Sequence, residues 1–463
     1  MICTDKIKKI HLTGICGTAM GNIAVGLKNS GYEITGSDSG VYPPMSDFLK
    51  ENGIEIFEYS EENVKNKDLV IIGNAIPRGN VEVEFVLDNK IPFTSLPEAV
   101  NSFFVKNKKL IMVTGTHGKT TTTSLIAFIL EYCGLNPSFL IGGIVPQLKS
   151  GFKYSEESKY FVLEGDEYDT AFFDKTSKFL KFTPDFLVIN YLEFDHGDIF
   201  DSLKDIKKSF IHLLKKCPKN STVFLNNDHK TTLSLKDYSF SKIKLFGFKK
   251  NSDFKVKYAG FKNGKSIYKI KTESNEYTLS SYLHGKHNAR NLTAAFSVCY
   301  SLGLQPEKII EAIESFYGVS RRFETYYENE KKGITVIQDF AHHPTAFEYT
   351  IKTAKKLYPN KKIIAIIEPA TNTMRSGKFG KKLKNSVKQA DLTIFLPVPS
   401  KKRHSVKDNF TPPEGENIVN LNNKKDFEEF LGKGNFENSV FLFMSNGAPW
   451  GYMKMVKKFY QGE

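Results

Sequence analysis

The sequence predicts an α/β protein built as three units in series, and three observations predict it. At 463 residues the chain exceeds what a single hydrophobic core supports, so two to four domains are expected. A strand pattern, a glycine turn and a helical stretch follow one another twice, over Ile7 to Asn29 and over Leu110 to Tyr132. That order is the signature of a parallel sheet with helices packed on it. From about Gly318 onward, apolar runs alternate with helical segments a third time.

The first unit, 1–106, opens with the apolar run Ile7 to Thr13, the turn Gly14-Ile15-Cys16-Gly17-Thr18-Ala19-Met20-Gly21 and a helix to about Asn29. Strands at Tyr32 to Thr35 and Leu69 to Gly73 follow. The second unit, 107–317, begins after the charged stretch Lys106 to Lys109 with strand Leu110 to Thr114, a glycine loop, and helix Thr121 to Tyr132 stopped near Gly134. Tyr160 to Leu163 and Phe186 to Ile189 read as further buried strands. Between about 240 and 282 short alternating pieces such as Ser266 to Lys271 read as an antiparallel appendage, and a helix follows over Asn288 to Leu302. The third unit, 318–463, carries strands at Ile334 to Ile337, Ile363 to Ile367, Leu392 to Leu396 and Val440 to Met444.

Composition excludes several classes. No run approaches the roughly 18 apolar residues of a membrane span. Met1 to Ile10 carries Asp5, Lys6, Lys8 and Lys9 and lacks a secretory apolar stretch. Five cysteines (Cys3, Cys16, Cys133, Cys217, Cys299) are scattered without a Cys-x-x-Cys pair, which suits a reducing cytoplasm better than a disulfide or zinc framework. The net charge of +14 is spread in short pairs such as Lys108-Lys109, Lys361-Lys362 and Lys401-Lys402. A nucleic-acid binder concentrates such charge on one face, so no nucleic-acid or membrane partner is expected. The chain reads as a monomer or weak dimer.

The chemistry lies in the turns. Thr114-Gly115-Thr116-His117-Gly118-Lys119-Thr120-Thr121 sits between strand and helix. Its glycines let the backbone wrap a phosphate against the free amides of the helix start. Lys119 reaches the β- and γ-phosphates of ATP, and the Thr120 hydroxyl suits Mg²⁺. The spacing departs from GxxxxGK[ST], because Val113 stands six residues before Lys119. Glu164 is the first residue past a strand and is the expected metal ligand. His196, after the next strand, is a candidate for a second Mg²⁺ or for the transferring phosphoryl group. Asn288 offers an edge for adenine, Arg322 a guanidinium for γ-phosphate charge, and Asp339 acceptors for a ribose. The first turn, Gly14 to Gly21 with Asp38 behind the next strand, is Gly-x-x-Gly-x-x-x-Gly rather than GxGxxG. It suits a dinucleotide or a nucleoside diphosphate alike.

With these segments in place the chain resembles the Mur ligases from end to end. The matching order is GICGTAMG with TGSD, GTHGKTTTT, LEGDEYD, EFDH, GKHNARN, GVSRRFE and QDFAHHP. Four further segments resemble the branch of murein peptide ligases: Tyr42 to Ser46, Gly73 to Asn80, Tyr168 to Asp174 and Glu368 to Arg375. At Ala370 and Thr371 the chain departs from that branch, which shows an arginine and a serine there. The resemblance implies a Rossmann-like N-terminal domain, a central P-loop ATPase-like domain and a Rossmann-like C-terminal domain. It implies that UDP-N-acetylmuramate lies on the first, its diphosphate near Gly17, Thr18 and Met20 and its uridine near Ser37 and Asp38. It implies ATP held by Gly115, Thr116, His117, Gly118, Lys119, Thr120, Thr121, Asn288, Arg322 and Asp339, with Mg²⁺ on Thr120, Glu164 and His196. Lys119, Glu164, His196, Arg322 and His342 are the expected catalytic residues, and Arg375 the grip on a peptide carboxylate. The implied reaction joins the murein tripeptide L-alanyl-γ-D-glutamyl-meso-diaminopimelate to UDP-N-acetylmuramate through an acyl phosphate. The alternatives are a UDP-N-acetylmuramate–L-alanine ligase, a nicotinamide-dependent oxidoreductase built on the first turn, and a nucleotide-gated binding protein.

Overall fold

The computed structural model describes residues 4–399, 409–447 and 449–461. Cys3 and the Lys401-Lys402 pair lie outside the described residues. Three sheets follow one another along the chain. The first has five parallel strands in the order Ile56–Phe57, Glu33–Ser37, Lys9–Thr13, Leu69–Ile72, Phe93–Ser95. Leu69–Ile72 is buried throughout, as the continuous apolar run of a strand covered on both faces requires. Helix Thr18–Asn29 starts directly after the first glycine turn.

The second sheet is built on the parallel strands Thr222–Asn226, Phe186–Ile189, Lys109–Thr114 and Tyr160–Glu164. Side chains alternate across it. Leu110 and Met112 face one core with Phe210 and Leu214. Ile111 and Val113 face the other with Leu125 and Ile129 of helix Lys119–Tyr132. The stretch read as an appendage is part of this sheet. Lys242–Gly247 pairs parallel with Thr222–Asn226, and the meander Phe254–Lys262, Lys265–Lys271, Glu276–Ser281 joins through Phe246↔Phe254 and Gly247↔Lys255. The parallel pairing escaped the sequence reading because Lys242 to Gly247 mixes charged and apolar residues like an edge strand.

The third sheet runs Glu324–Asn329, Ile334–Asp339, Ser439–Met444, Lys362–Ile367, Leu392–Phe395, Ile418–Asn420. Its first pair is antiparallel and the remaining pairs are parallel. Helix Pro344–Leu357 begins with proline at its first position, and the preceding His343 ring accepts from Thr345 N at 3.2 Å, a start that needs no other cap. Among the described residues no helix is long and apolar enough to cross a membrane.

Candidate active site

Parallel sheets expose turns at the carboxyl ends of their strands, and a cavity of about 720 Å³ opens where those ends meet. Thr18 and Asn22 of the first unit, the glycine loop of the second and Asp339 to His343 of the third line it. The loop's two glycines are there for space and φ. Gly115 has φ +124° and Gly118 φ +80°. A Cβ on Gly115 would stand 2.8 Å from Tyr191 O, and one on Gly118 2.3 Å from Asn291 Oδ1. An L side chain at either fails on conformation and on volume.

Helix Lys119–Tyr132 leaves the loop with Lys119 and Thr120 in its first turn. Lys119 Nζ donates to both oxygens of Glu167 at 2.8 Å and to Gly115 O at 2.9 Å. Burial would lower the Lys119 ammonium, but Glu167 and Asp166 outweigh it and hold the pKa above normal. Thr120 Oγ1 donates to Glu164 Oε1 at 2.8 Å, and Gly142 N to Glu164 Oε2 at 2.7 Å. Burial raises the Glu164 carboxyl despite the pull of Lys119. Arg322 reaches across from the third unit to Thr120 Oγ1 at 3.4 Å, its guanidinium 4.4 Å from the centroid of the Phe340 ring. Lys119, Thr120, Glu164 and Arg322, expected together, are together.

Other expectations meet different surroundings. His196, in the left-handed region at φ 52°, which is uncommon outside glycine, bonds Glu167 Oε1 through Nε2 at 2.9 Å. Burial would lower its pKa, but Glu167 raises it above normal. In this arrangement the ring positions Glu167 opposite Lys119. Burial pushes the His342 imidazole down to about 4, against the pull of Asp195 at 3.9 Å. Asp339 lines the cavity and accepts from Ala341 N and Phe323 N, both at 2.8 Å, one on each oxygen. Asn288 donates to His284 O at 2.9 Å and accepts from Asn291 at 3.1 Å, bonds that compete with an adenine edge. Arg375 is 6% exposed and outside the cavity lining; Thr371, Asn372 and Thr373 face the cavity in its place. Thr116 clasps the Glu193 backbone, accepting from its N and donating to its O at 3.0 Å. Thr121 lines the cavity in the helix's first turn.

At the first turn, Gly17, Thr18 and Ala19 are exposed at the helix start. Met20 is turned into the core at 5% exposure. Asp38 accepts from Cys16 N at 3.0 Å and Gly40 N at 2.8 Å. Ser37 is fully buried and donates to Glu82 Oε2 at 2.6 Å beside His11 and Thr13, so its hydroxyl is not free for a uridine.

Residues not foreseen complete the cavity. Asn190 donates to Thr122 and Asn291, both at 2.9 Å. Tyr191 stacks on His229 at 4.1 Å and His287 on Tyr349 at 5.8 Å, with Arg290 fixed by Asp228 at 2.7 Å. Arg290 lies three residues after His287 on one helix, so the i, i+3 spacing was the available signal. Tyr349 and Asp228 carried none.

Family models match all three units: Mur ligase family, catalytic domain, over 9–106; Mur ligase middle domain over 113–299; and Mur ligase, glutamate ligase domain, over 321–446. The chain belongs to the Mur ligase family. It is therefore an ATP-dependent ligase that forms a C–N bond. Two relatives carry the name UDP-N-acetylmuramate–L-alanyl-γ-D-glutamyl-meso-2,6-diaminoheptandioate ligase. That of Haemophilus influenzae is 36% identical, covering 98% of this chain and 99% of its own. That of Escherichia coli strain K12 is 39% identical, covering 85% of each. A crystal structure of a murein peptide ligase from Psychrobacter arcticus superposes with TM-score 0.71 and 29% identity over 98% of both chains. This Mur ligase has its glycine loop in the middle unit and its Asp339-to-Pro344 turn in the last.

Proposed function

We propose that this Mur ligase uses ATP to join the amine of the tripeptide L-alanyl-γ-D-glutamyl-meso-diaminopimelate to the carboxylate of UDP-N-acetylmuramate, a reaction of peptidoglycan recycling in the cytoplasm. The observation that carries it is the pair of relatives named for that reaction, matched at 36% and 39% identity across 98% and 85% of the chain. UDP-N-acetylmuramate–L-alanine ligases are 31% to 34% identical. As partners, the reading assigns these two substrates and no nucleic acid or membrane.

A carboxylate is a poor acyl donor, because its leaving group is oxide. Transfer of the γ-phosphoryl group gives an acyl phosphate, which the amine then attacks with departure of phosphate. Charge builds on phosphoryl oxygens in the first step, so fixed cations supply most of the stabilisation. Lys119 and Arg322 are those cations on this chain. Lys119 exchanges Glu167 for phosphate oxygens, and Glu167 then retains His196. The loop amides after Gly118 face the phosphates, and the flat rings of Tyr191, His287 and Tyr349 suit a purine.

The donor set fits Mg²⁺: a hydroxyl and a carboxylate, both hard oxygens, already 2.8 Å apart. When bound there, Mg²⁺ neutralises phosphate charge. Thr120 and Glu164 would hold it, with Gly142 N fixing the second carboxylate oxygen. On the sugar-nucleotide side, the exposed helix start at Gly17 and Thr18 faces a diphosphate.

The test is an amine-acceptor assay. Purified protein is given ATP, Mg²⁺, UDP-N-acetylmuramate and either the tripeptide or L-alanine, and phosphate release is followed. Release dependent on the tripeptide is expected. Preference for free L-alanine overturns the assignment, and release with neither amine removes the ligase reading.

A further inference from the structure

Beside the phosphate loop, but away from Thr120 and Glu164, three side chains from three segments converge. His117 Nε2 lies 3.0 Å from Glu193 Oε2, and His343 Nδ1 lies 3.8 Å from the same oxygen. The two imidazole rings are 4.9 Å apart, and one ligand atom from each of the three residues lies within 4.8 Å of the others. Zn²⁺ holds nitrogen and oxygen ligands at about 2.0–2.1 Å, which sets neighbouring ligand atoms roughly 3.4 Å apart in a tetrahedron. The two separations to Glu193 bracket that edge.

The supporting shell is also present. His343 Nε2 meets Phe194 O at 3.2 Å. Because a carbonyl only accepts, Nε2 carries the proton and Nδ1 is left with the lone pair. Thr345 Oγ1 donates to Glu193 Oε1 at 2.8 Å, orienting the carboxylate so that Oε2 faces the two rings. His343 is 3% exposed and enclosed by the Phe379 ring at 4.8 Å. Thr345 N also donates to Nδ1 at 3.2 Å, a long helix-capping bond that an ion would replace.

We propose that His117, Glu193 and His343 form a binding site for a transition-metal dication of the Zn²⁺ class, separate from the Mg²⁺ ligands. Two imidazoles and a carboxylate select such ions, whereas Mg²⁺ favours oxygen ligands alone. The site spans the phosphate loop, the loop after strand Phe186–Ile189 and the start of helix Pro344–Leu357, so an ion there fastens the third unit to the second. The proposal does not depend on which amine the enzyme accepts.

The experiment titrates the chelator-treated full chain with Co²⁺ in excess Mg²⁺ and follows visible absorption. One equivalent is expected to bind despite the Mg²⁺. His117→Gln and His343→Gln should each weaken binding at least tenfold, and Thr345→Val roughly tenfold. His196→Gln should leave it unchanged. His117 is partly exposed, so its variant is expected to fold even if the His343 variant does not, and circular dichroism checks both. Absence of Mg²⁺-resistant binding overturns the proposal, as does binding unaltered in folded His117→Gln. Loss of the signal in His196→Gln places the ion beside Glu167 and Lys119 instead and overturns it equally.

Discussion

The two glycine turns begin from the same local plan and end with different chemistry. Each follows a buried parallel strand and opens a helix, over Gly14 to Gly21 and over Gly115 to Thr121. The first offers backbone amides and the uncharged Thr18 side chain at its exposed helix start. Its acid, Asp38, is folded back onto Cys16 N, and its polar interior is locked among His11, Ser37 and Glu82. The second brings Lys119, Thr120, Glu164 and Arg322 to one spot. A helix N-terminus carries about half a unit of positive charge, enough to seat an anion but not to move a phosphoryl group. The difference teaches that this scaffold supplies binding, while charged side chains added to it supply reaction.

Four substitutions or conditions sharpen that contrast. Lys119→Ala should lower kcat about a thousandfold, or ~4 kcal/mol, while sugar-nucleotide affinity measured by calorimetry stays put. Comparable loss at both sites would erase the division of labour. Glu82→Ala strands His11, Thr13, Ser37 and Asn63 without their shared acceptor. It should cost roughly 3 kcal/mol of stability, seen as a lower urea midpoint with the ATP KM of the folded fraction unchanged.

The third is a pH effect. Burial would raise Glu193, but the His117 hydrogen bond and nearby His343 hold it at about 2. Its carboxyl titrates lower folded than unfolded, so its stabilisation is complete above the ordinary carboxylate range and drains away as pH falls from about 4.5 towards 2. Glu193→Gln should flatten that acid limb by on the order of 1–2 kcal/mol, and an unchanged limb would show the pair is not coupled to folding. The smallest effect is expected from Thr18→Glu, a negative charge at the first helical position. It should weaken sugar-nucleotide binding by a few-fold, up to about 1 kcal/mol, and leave the ATP KM alone.

How much was legible follows the reach of each signal. Strand Lys109–Thr114, its loop and its helix were readable because apolar run, glycines and Lys119-Thr120 are contiguous. Glu164 was readable as the residue ending a strand. What failed was partnership across the chain. Nothing near Asp339 in sequence says that one of its oxygens closes onto Phe323 N, 16 residues back. Nor does anything near His196 say that Glu167 takes its ring. Ser37 was expected near the uridine, yet its hydroxyl donates to Glu82, 45 residues on. The strand Glu324–Asn329 was missed because its exposed, polar composition gives no period.

The apolar cores set how the molecule comes apart. One cluster runs unbroken from Ile10 and Leu27 of the first unit through Phe104 to Leu110 and Phe210 of the second. The clusters of the third sheet keep to residues beyond Gly318 among the described residues. Contacts from there to the rest include polar links such as Asn372 to Asp198, Lys378 to Gly197 and Thr345 to Glu193. Water can substitute for such links but not for a shared oily interior. The first two units are thus a single rigid chassis, and the last third is a hatch hung on it: calorimetry should register two melting events, the smaller belonging to the hatch.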